Sequence, residues 1–193
     1  MRKRLFGRSL GLVLAVVATS ALSAPVAAAG TPAADFGAQV RAAGLTPAEA
    51  RTLQARVADE LAREGGVRTA ANEITRANGT ELLLVLPGET YARDLDAPAT
   101  QNVGAAAAPS SCAYYTFCAY RGTNFTGDVL RQKRCADIIY INWFGNGSWS
   151  NNQSSGTRAR MYGSANNVIY TTPGAYSEDR VGDWSPVFHV DAC

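Results

Sequence analysis

Apolar residues in the first third of the chain recur with a helical period. Leu53, Val57 and Leu61 are spaced every fourth position, which puts them on one face of a helix. Just before them, Thr46 is placed to cap, Pro47 suits the first helical position, and Glu49 completes a capping box. Leu45 can staple onto Ala50, and Gly65-Gly66 interrupts the pattern. These signals predict a helix over Pro47–Arg63. Beyond it, Val67–Ala77 and Thr80–Leu86 flank Asn78-Gly79, a dipeptide that suits the left-handed backbone of a tight hairpin turn. The run Leu82–Leu86 is too apolar for both its faces to meet water, so one face is expected to cover the helix. A helix and hairpin over 45–87 make a unit near the size at which one core is marginal, and it is expected to lean on the remainder of the chain.

The second half has a different pattern. Short runs rich in β-branched and aromatic residues, Asp128–Gln132, Ile138–Ile141, Arg158–Tyr162, Val168–Thr172 and Pro186–Val190, alternate with clusters of Gly, Asn and Ser. That alternation predicts an antiparallel sandwich of short strands over 112–193, with no helical period. Between the two halves, 88–111 is rich in Gly, Pro, Ala and Asn and reads as an exposed linker that proteases could cut. The segment 30–44 has no period and reads as a flexible lead-in. A helix and hairpin ahead of such a linker suggest a pro-region or a permanent subdomain.

The N-terminus changes the electrostatic picture. Arg2, Lys3, Arg4 and Arg8 precede the apolar run Leu10–Leu22, and small residues follow up to Ala29, the layout of a secretory signal peptide over 1–29. The apolar run is shorter than the ~20 residues of a membrane-crossing helix. Cleavage would remove four of 18 basic residues and none of 16 acidic ones, taking the net charge from +2 to −2. Neither nucleic acid nor an anionic membrane is therefore expected as a partner. A secreted, extracellular protein, most simply a monomer, is the expectation.

Export also bears on the cysteines. Cys112, Cys118, Cys135 and Cys193 form an even set in the last half of the chain, which reads as two disulfides with three possible pairings. A four-thiolate zinc site is the rival, but the spacings are not those of paired zinc knuckles. Cys112–Cys118 would close a short turn and Cys135–Cys193 would tie the C-terminus back to the middle of the domain.

Catalytic constellations are hard to find. No G-x-S-x-G, H-E-x-x-H or phosphate-cradling glycine loop occurs. His189 is the single histidine and lies in an expected strand between Phe188 and Val190, which favours a structural role over that of a base. Glu178, Asp179 and Asp183 form an acidic cluster that reads as a solvated loop. No enzyme and no cofactor are expected.

The stretch Cys118–Gly127 carries a family likeness. Tyr120 and Phe125, followed by Gly127, have the aromatic-x4-aromatic-x-Gly spacing of a folded hairpin, with Gly122 and Asn124 available for positive φ. With a cysteine just upstream, this resembles the βγ-crystallin-like Greek-key domain of the Streptomyces metalloproteinase inhibitor family, secreted actinomycete proteins often preceded by similar leaders. The resemblance covers about Ser110–Cys193. It implies an all-β C-terminal sandwich and a rigid loop that inhibits an extracellular metalloprotease. No reactive bond can be carried over, because this chain lacks the family's short second disulfide. The alternative is a non-inhibitory extracellular binding or structural module. Domains of this type often bind calcium through paired Asn/Asp and Ser/Thr residues. Asn146–Asn152 and Glu178–Trp184 come near that signature, each with a ligand missing, and a shifted copy over Asn151–Gly156 makes Asn151, Gln153 and Ser155 the candidates for weak calcium binding.

Overall fold

Helix α2, Pro47–Glu64, is set up by the capping box that its first residues encode. Thr46 Oγ1 accepts from the Glu49 amide at 3.3 Å, and the Glu49 carboxylate accepts from the Thr46 amide at 2.8 Å, so two otherwise orphaned donors are satisfied. Leu53 and Val57 on its inner face are fully buried. Gly65 ends the helix with φ of 68° and donates its amide to Leu61 O.

The structure is a computed structural model that describes residues 36–95, 111–135 and 137–193, which belong to one compact unit. The expected signal segment 1–29 and most of the expected linker, 96–110, lie outside the described residues. No described helix is long and apolar enough to cross a membrane. The lead-in expected to be flexible is helical in part: Phe36–Ala42 forms α1. Its residues gain partners that no local pattern reveals. Gln39 Oε1 accepts from the Ala71 amide at 2.6 Å, Val40 packs on the core, and the Arg68 guanidinium lies 4.5 Å from the Phe36 ring centroid.

The expected hairpin also has an extra fold. Its first arm is two strands, β1 (Val67–Ala70) and β2 (Glu73–Thr75), which pair with each other through a turn at Ala71-Asn72. Asn78-Gly79 then turns β2 into β3, Glu81–Leu83, with Gly79 at φ of 79°. The remaining strands are β4 (Thr116–Tyr120), β5 (Val129–Gln132), β6 (Ile138–Tyr140), β7 (Asn146–Asn152), β8 (Arg160–Tyr162), β9 (Val168–Thr171), β10 (Ser177–Asp183) and β11 (His189–Asp191). They form a seven-stranded sheet in the order β1-β2-β3-β5-β4-β7-β10 and a four-stranded sheet in the order β6-β11-β8-β9, with antiparallel pairing throughout.

The last eight strands fall into two sets of four, and each set lends its third strand to the other's sheet. Thus β6 lies beside β11, and β10 lies beside β7. Alternation along β4 shows where the core sits: Phe117 and Ala119 join a cluster with Leu53, Val57, Trp149, Met161 and Trp184, while Cys118 and Tyr120 join one on the opposite face with Leu83, Phe125 and Val129. The two longest strands, β7 and β10, lie where the sequence reads as loops. Asn, Gly and Ser have poor intrinsic strand preference, and here their neighbours override it: β7 is paired on both sides, by β4 and β10.

The N-terminal strands are continuous with those of the C-terminal half. Leu82 of β3 faces Leu130 of β5 in register. Tyr91 bridges to Gly127, whose amide donates to Thr90 O, so residues at the start of the expected linker pack against the later strands. Asp128 accepts from Arg56 at 2.6 Å and from the Val85 amide at 3.0 Å, adding a side-chain tie between α2, the end of the hairpin and β5.

Candidate functional site

The folded corner after β4 is built from the residues its motif singles out. The rings of Tyr120 and Phe125 meet edge to face with centroids 5.3 Å apart. Ser148 of β7 donates to Gly122 O at 2.7 Å and accepts from the Phe125 amide at 2.8 Å, so a single hydroxyl satisfies both sides of the turn. The left-handed residues are Asn124, Phe125 and Gly127, whereas Gly122 has ordinary negative φ. Gly122 is needed for space instead, since a Cβ there would stand 2.3 Å from Thr126 Oγ1. Trp184 Nε1 donates to Tyr120 O at 2.7 Å, closing the corner from the second set of strands. Burial pushes the Tyr120 hydroxyl well above the ordinary tyrosine range, and the Ser111 hydroxyl 3.1 Å away opposes this in part.

Immediately before β4 lies a small loop. Cys112 is bonded to Cys118, and Cys135 to Cys193, the two pairs proposed from the sequence. Within the first pair, Tyr114 and Tyr115 remain 59 % and 58 % exposed, with ring centroids 4.0 Å apart. The loop is pinned at its base: the Tyr115 amide donates to Asn152 O at 2.8 Å, and Asn152 Nδ2 donates to Cys112 O at 2.9 Å. Tyr115 has φ of 68°, uncommon for a bulky residue. No motif in the sequence singles these tyrosines out. A usable signal was present, because two adjacent aromatics inside a Cys-x5-Cys ring cannot both turn inward.

The other sequence candidates are placed as follows. His189 is buried, its ring stacked on Tyr162 at 4.6 Å, with Tyr140 at 6.1 Å and Phe188 at 6.5 Å. Burial holds its pKa below the ordinary histidine range, with Asp191 pulling the other way. Asn151 and Gln153 come together, Gln153 Nε2 donating to Asn151 Oδ1 at 3.0 Å. Asn151 Nδ2 donates to Thr157 O at 2.9 Å, and Gln153 Nε2 also donates to Ala192 O. Ser155 is exposed in the following turn. Asn151 and Gln153 thus bond each other and the backbone carbonyls of Thr157 and Ala192. Among the described residues, no group of three or more His, Cys, Asp or Glu side chains is arranged to hold a metal ion. Asp179 and Asp183 line a cleft of about 270 Å³ with Trp149, Tyr170 and Trp184. Glu178 turns instead to Arg180, at 2.9 Å.

The fold and these surfaces define a disulfide-stapled, two-sheet β protein with a small helical region. No family model, no curated protein and no solved structure matches the chain.

Proposed function

We propose that the chain is an extracellular inhibitor of metalloproteases, built on a βγ-crystallin-like Greek-key sandwich. The exchange of third strands between two four-strand sets, and the folded corner at Tyr120 and Phe125 bonded to Ser148, support the fold reading. The observation that carries the function is the Cys112–Cys118 loop with its two exposed tyrosines and pinned base. A zinc protease polarises a substrate carbonyl at its open coordination position and seats a neighbouring side chain in a pocket. A loop that offers a backbone carbonyl beside an aromatic ring, already ordered by a disulfide, binds without losing much conformational freedom. Reaction chemistry within the inhibitor is not required.

The test is a titration of the chain from Gly30 to Cys193 against a panel of zinc proteases with a peptide substrate, followed by intact-mass measurement. Reversible inhibition is expected, with the inhibitor recovered uncut, and Tyr114→Ala or Tyr115→Gly should weaken it. Glycine at 115 keeps the left-handed backbone accessible. Absence of inhibition at micromolar protein, or inhibition indifferent to both substitutions, would overturn the reading. The second reading, an extracellular binding module, is favoured by the aromatic and acidic cleft beside β10.

A further inference from the structure

We propose that the cleft between β9 and β10 binds an organic cation, an alkylammonium or guanidinium group, between aromatic rings and two carboxylates. This does not rest on the inhibitor reading. Strands β9 and β10 are the outer strands of the two sheets, so the sandwich is open along this side. The opening holds about 270 Å³. Its lining holds Tyr170, 44 % exposed, against the largely buried indoles of Trp149 and Trp184, 3 % and 2 % exposed, with the Trp149 and Tyr170 rings 6.1 Å apart and tilted by 52°. Met161 and Val187 add apolar surface.

The polar part of the lining is acidic. One oxygen of Asp179 accepts from the Val181 amide at 2.9 Å, and one oxygen of Asp183 accepts from the Ser185 amide at 2.9 Å. The Ser185 side chain also bonds Asp183, and neither carboxylate is ion-paired with a lysine or arginine among the described residues. Among the described residues, no lysine or arginine lines the cleft. Arg180, the basic residue between the two aspartates, is directed elsewhere: it pairs with Glu178 at 2.9 Å, and its guanidinium lies 4.7 Å from the Phe125 ring centroid. The register of β10 on β7 shifts between Asp179 and Gly182, and Asp179 is in register with Trp149. This places a carboxylate on the same side of the sheet as an indole ring at the sandwich edge.

Two unpaired negative charges beside aromatic surface select the ligand class. A bare divalent ion would need six to eight oxygens and gains nothing from apolar walls. A neutral sugar or alcohol could lie against the rings but would ignore the charge. An organic cation uses both, through the ring quadrupoles and the carboxylates. Such a group can arrive free, as a quaternary ammonium compound, or on the tip of a lysine or arginine side chain.

The test uses the whole chain from Gly30 to Cys193 and follows the indole N–H resonances of Trp149 and Trp184 during titration. The probes are choline, its neutral isostere 3,3-dimethylbutanol, and a blocked lysine-containing tripeptide. Saturable shifts at those two indoles are expected with choline or the tripeptide, whichever binds more tightly naming the source. Affinity should fall at least about tenfold with the neutral isostere and with Asp179→Asn/Asp183→Asn, and should weaken with added salt. Tyr170→Leu, on an exposed ring, is a second variant should the double substitution disturb folding, and it should also weaken cation binding. Equal binding of the isostere, shifts confined to other residues, affinity unchanged in the folded variants, or no saturation by either cation would each overturn the proposal.

Discussion

Arg131 of β5 and Glu73 of β2 meet at 2.5 Å with side chains only 8 % and 9 % exposed. The same guanidinium reaches Asp94 at 2.6 Å and Glu81 at 3.0 Å, and Lys133 pairs with Glu81 at 3.0 Å. Burial alone would lower the Arg131 pKa, but Asp94, Glu81 and Glu73 outweigh it and keep the group charged. One cation from the C-terminal half thus holds three carboxylates from the N-terminal half. Replacing Arg131 by Leu should cost about 3 kcal/mol, because the buried Glu73 and the partly buried Glu81 and Asp94 lose this counter-charge. Arg131→Lys should fall between, since an ammonium cannot span three partners in a fixed plane. Urea denaturation of the three proteins measures both.

Cutting the chain within 96–110 should not release the N-terminal half. A site for a specific protease inserted there should give two fragments that elute together in native buffer and separate in denaturant. The reasons are the β3–β5 pairing, the Arg131 cluster and the Arg56–Asp128 pair at 2.6 Å. Spontaneous separation in native buffer would show that these ties are weaker than the geometry indicates.

Gly147→Ala should be strongly destabilising. A Cβ there would stand 2.0 Å from Trp184 Nε1 and 2.5 Å from Tyr120 O, so the indole must leave the corner. Overpacking of this kind costs typically about 1–3 kcal/mol, and the loss of the indole hydrogen bond adds to it. Ser148→Ala should cost about 1–3 kcal/mol by leaving the buried Phe125 amide unpaired. Thermal melts of both variants, with near-ultraviolet circular dichroism reporting the Trp184 environment, provide the check.

A histidine-dependent loss of stability is expected on mild acidification. The folded pKa of His189 lies below its unfolded value of about 6.5, because burial disfavours the imidazolium. As pH falls through that unfolded value towards the folded one, the unfolded chain binds a proton that the folded chain refuses, and stability drops. Above that window the contribution is fully present. His189→Phe keeps an aromatic ring against Tyr162 and should remove this segment of the pH profile, while the variant and the parent should lose stability alike where the carboxylates titrate.

What the residues declare locally, they declare well. The α2 capping box, its Leu53 and Val57 face and the Asn78-Gly79 turn all depend on neighbours within a few positions, so they are legible from the sequence. Two bonded cysteine pairs were legible as well, and so was the Tyr120–Phe125 corner. The long-range pairing decided the rest. Asn146–Asn152 is a strand because β4 and β10 supply hydrogen bonds on both sides and because Gly147 leaves room for the Trp184 indole. Phe36–Ala42 is a helix for a similar reason, since its partners Ala71 and Arg68 lie some thirty residues away. Of the surfaces discussed, Asp179 and Asp183 were visible as an acidic pair, but not the indoles beside them. Trp149, Tyr170 and Trp184 come from three separate segments, and only the open edge between the two sheets brings them together. Composition and spacing specify each segment's own preference, whereas a site assembled across sheet edges exists only once the hydrophobic burial of the whole sandwich has chosen which edges meet.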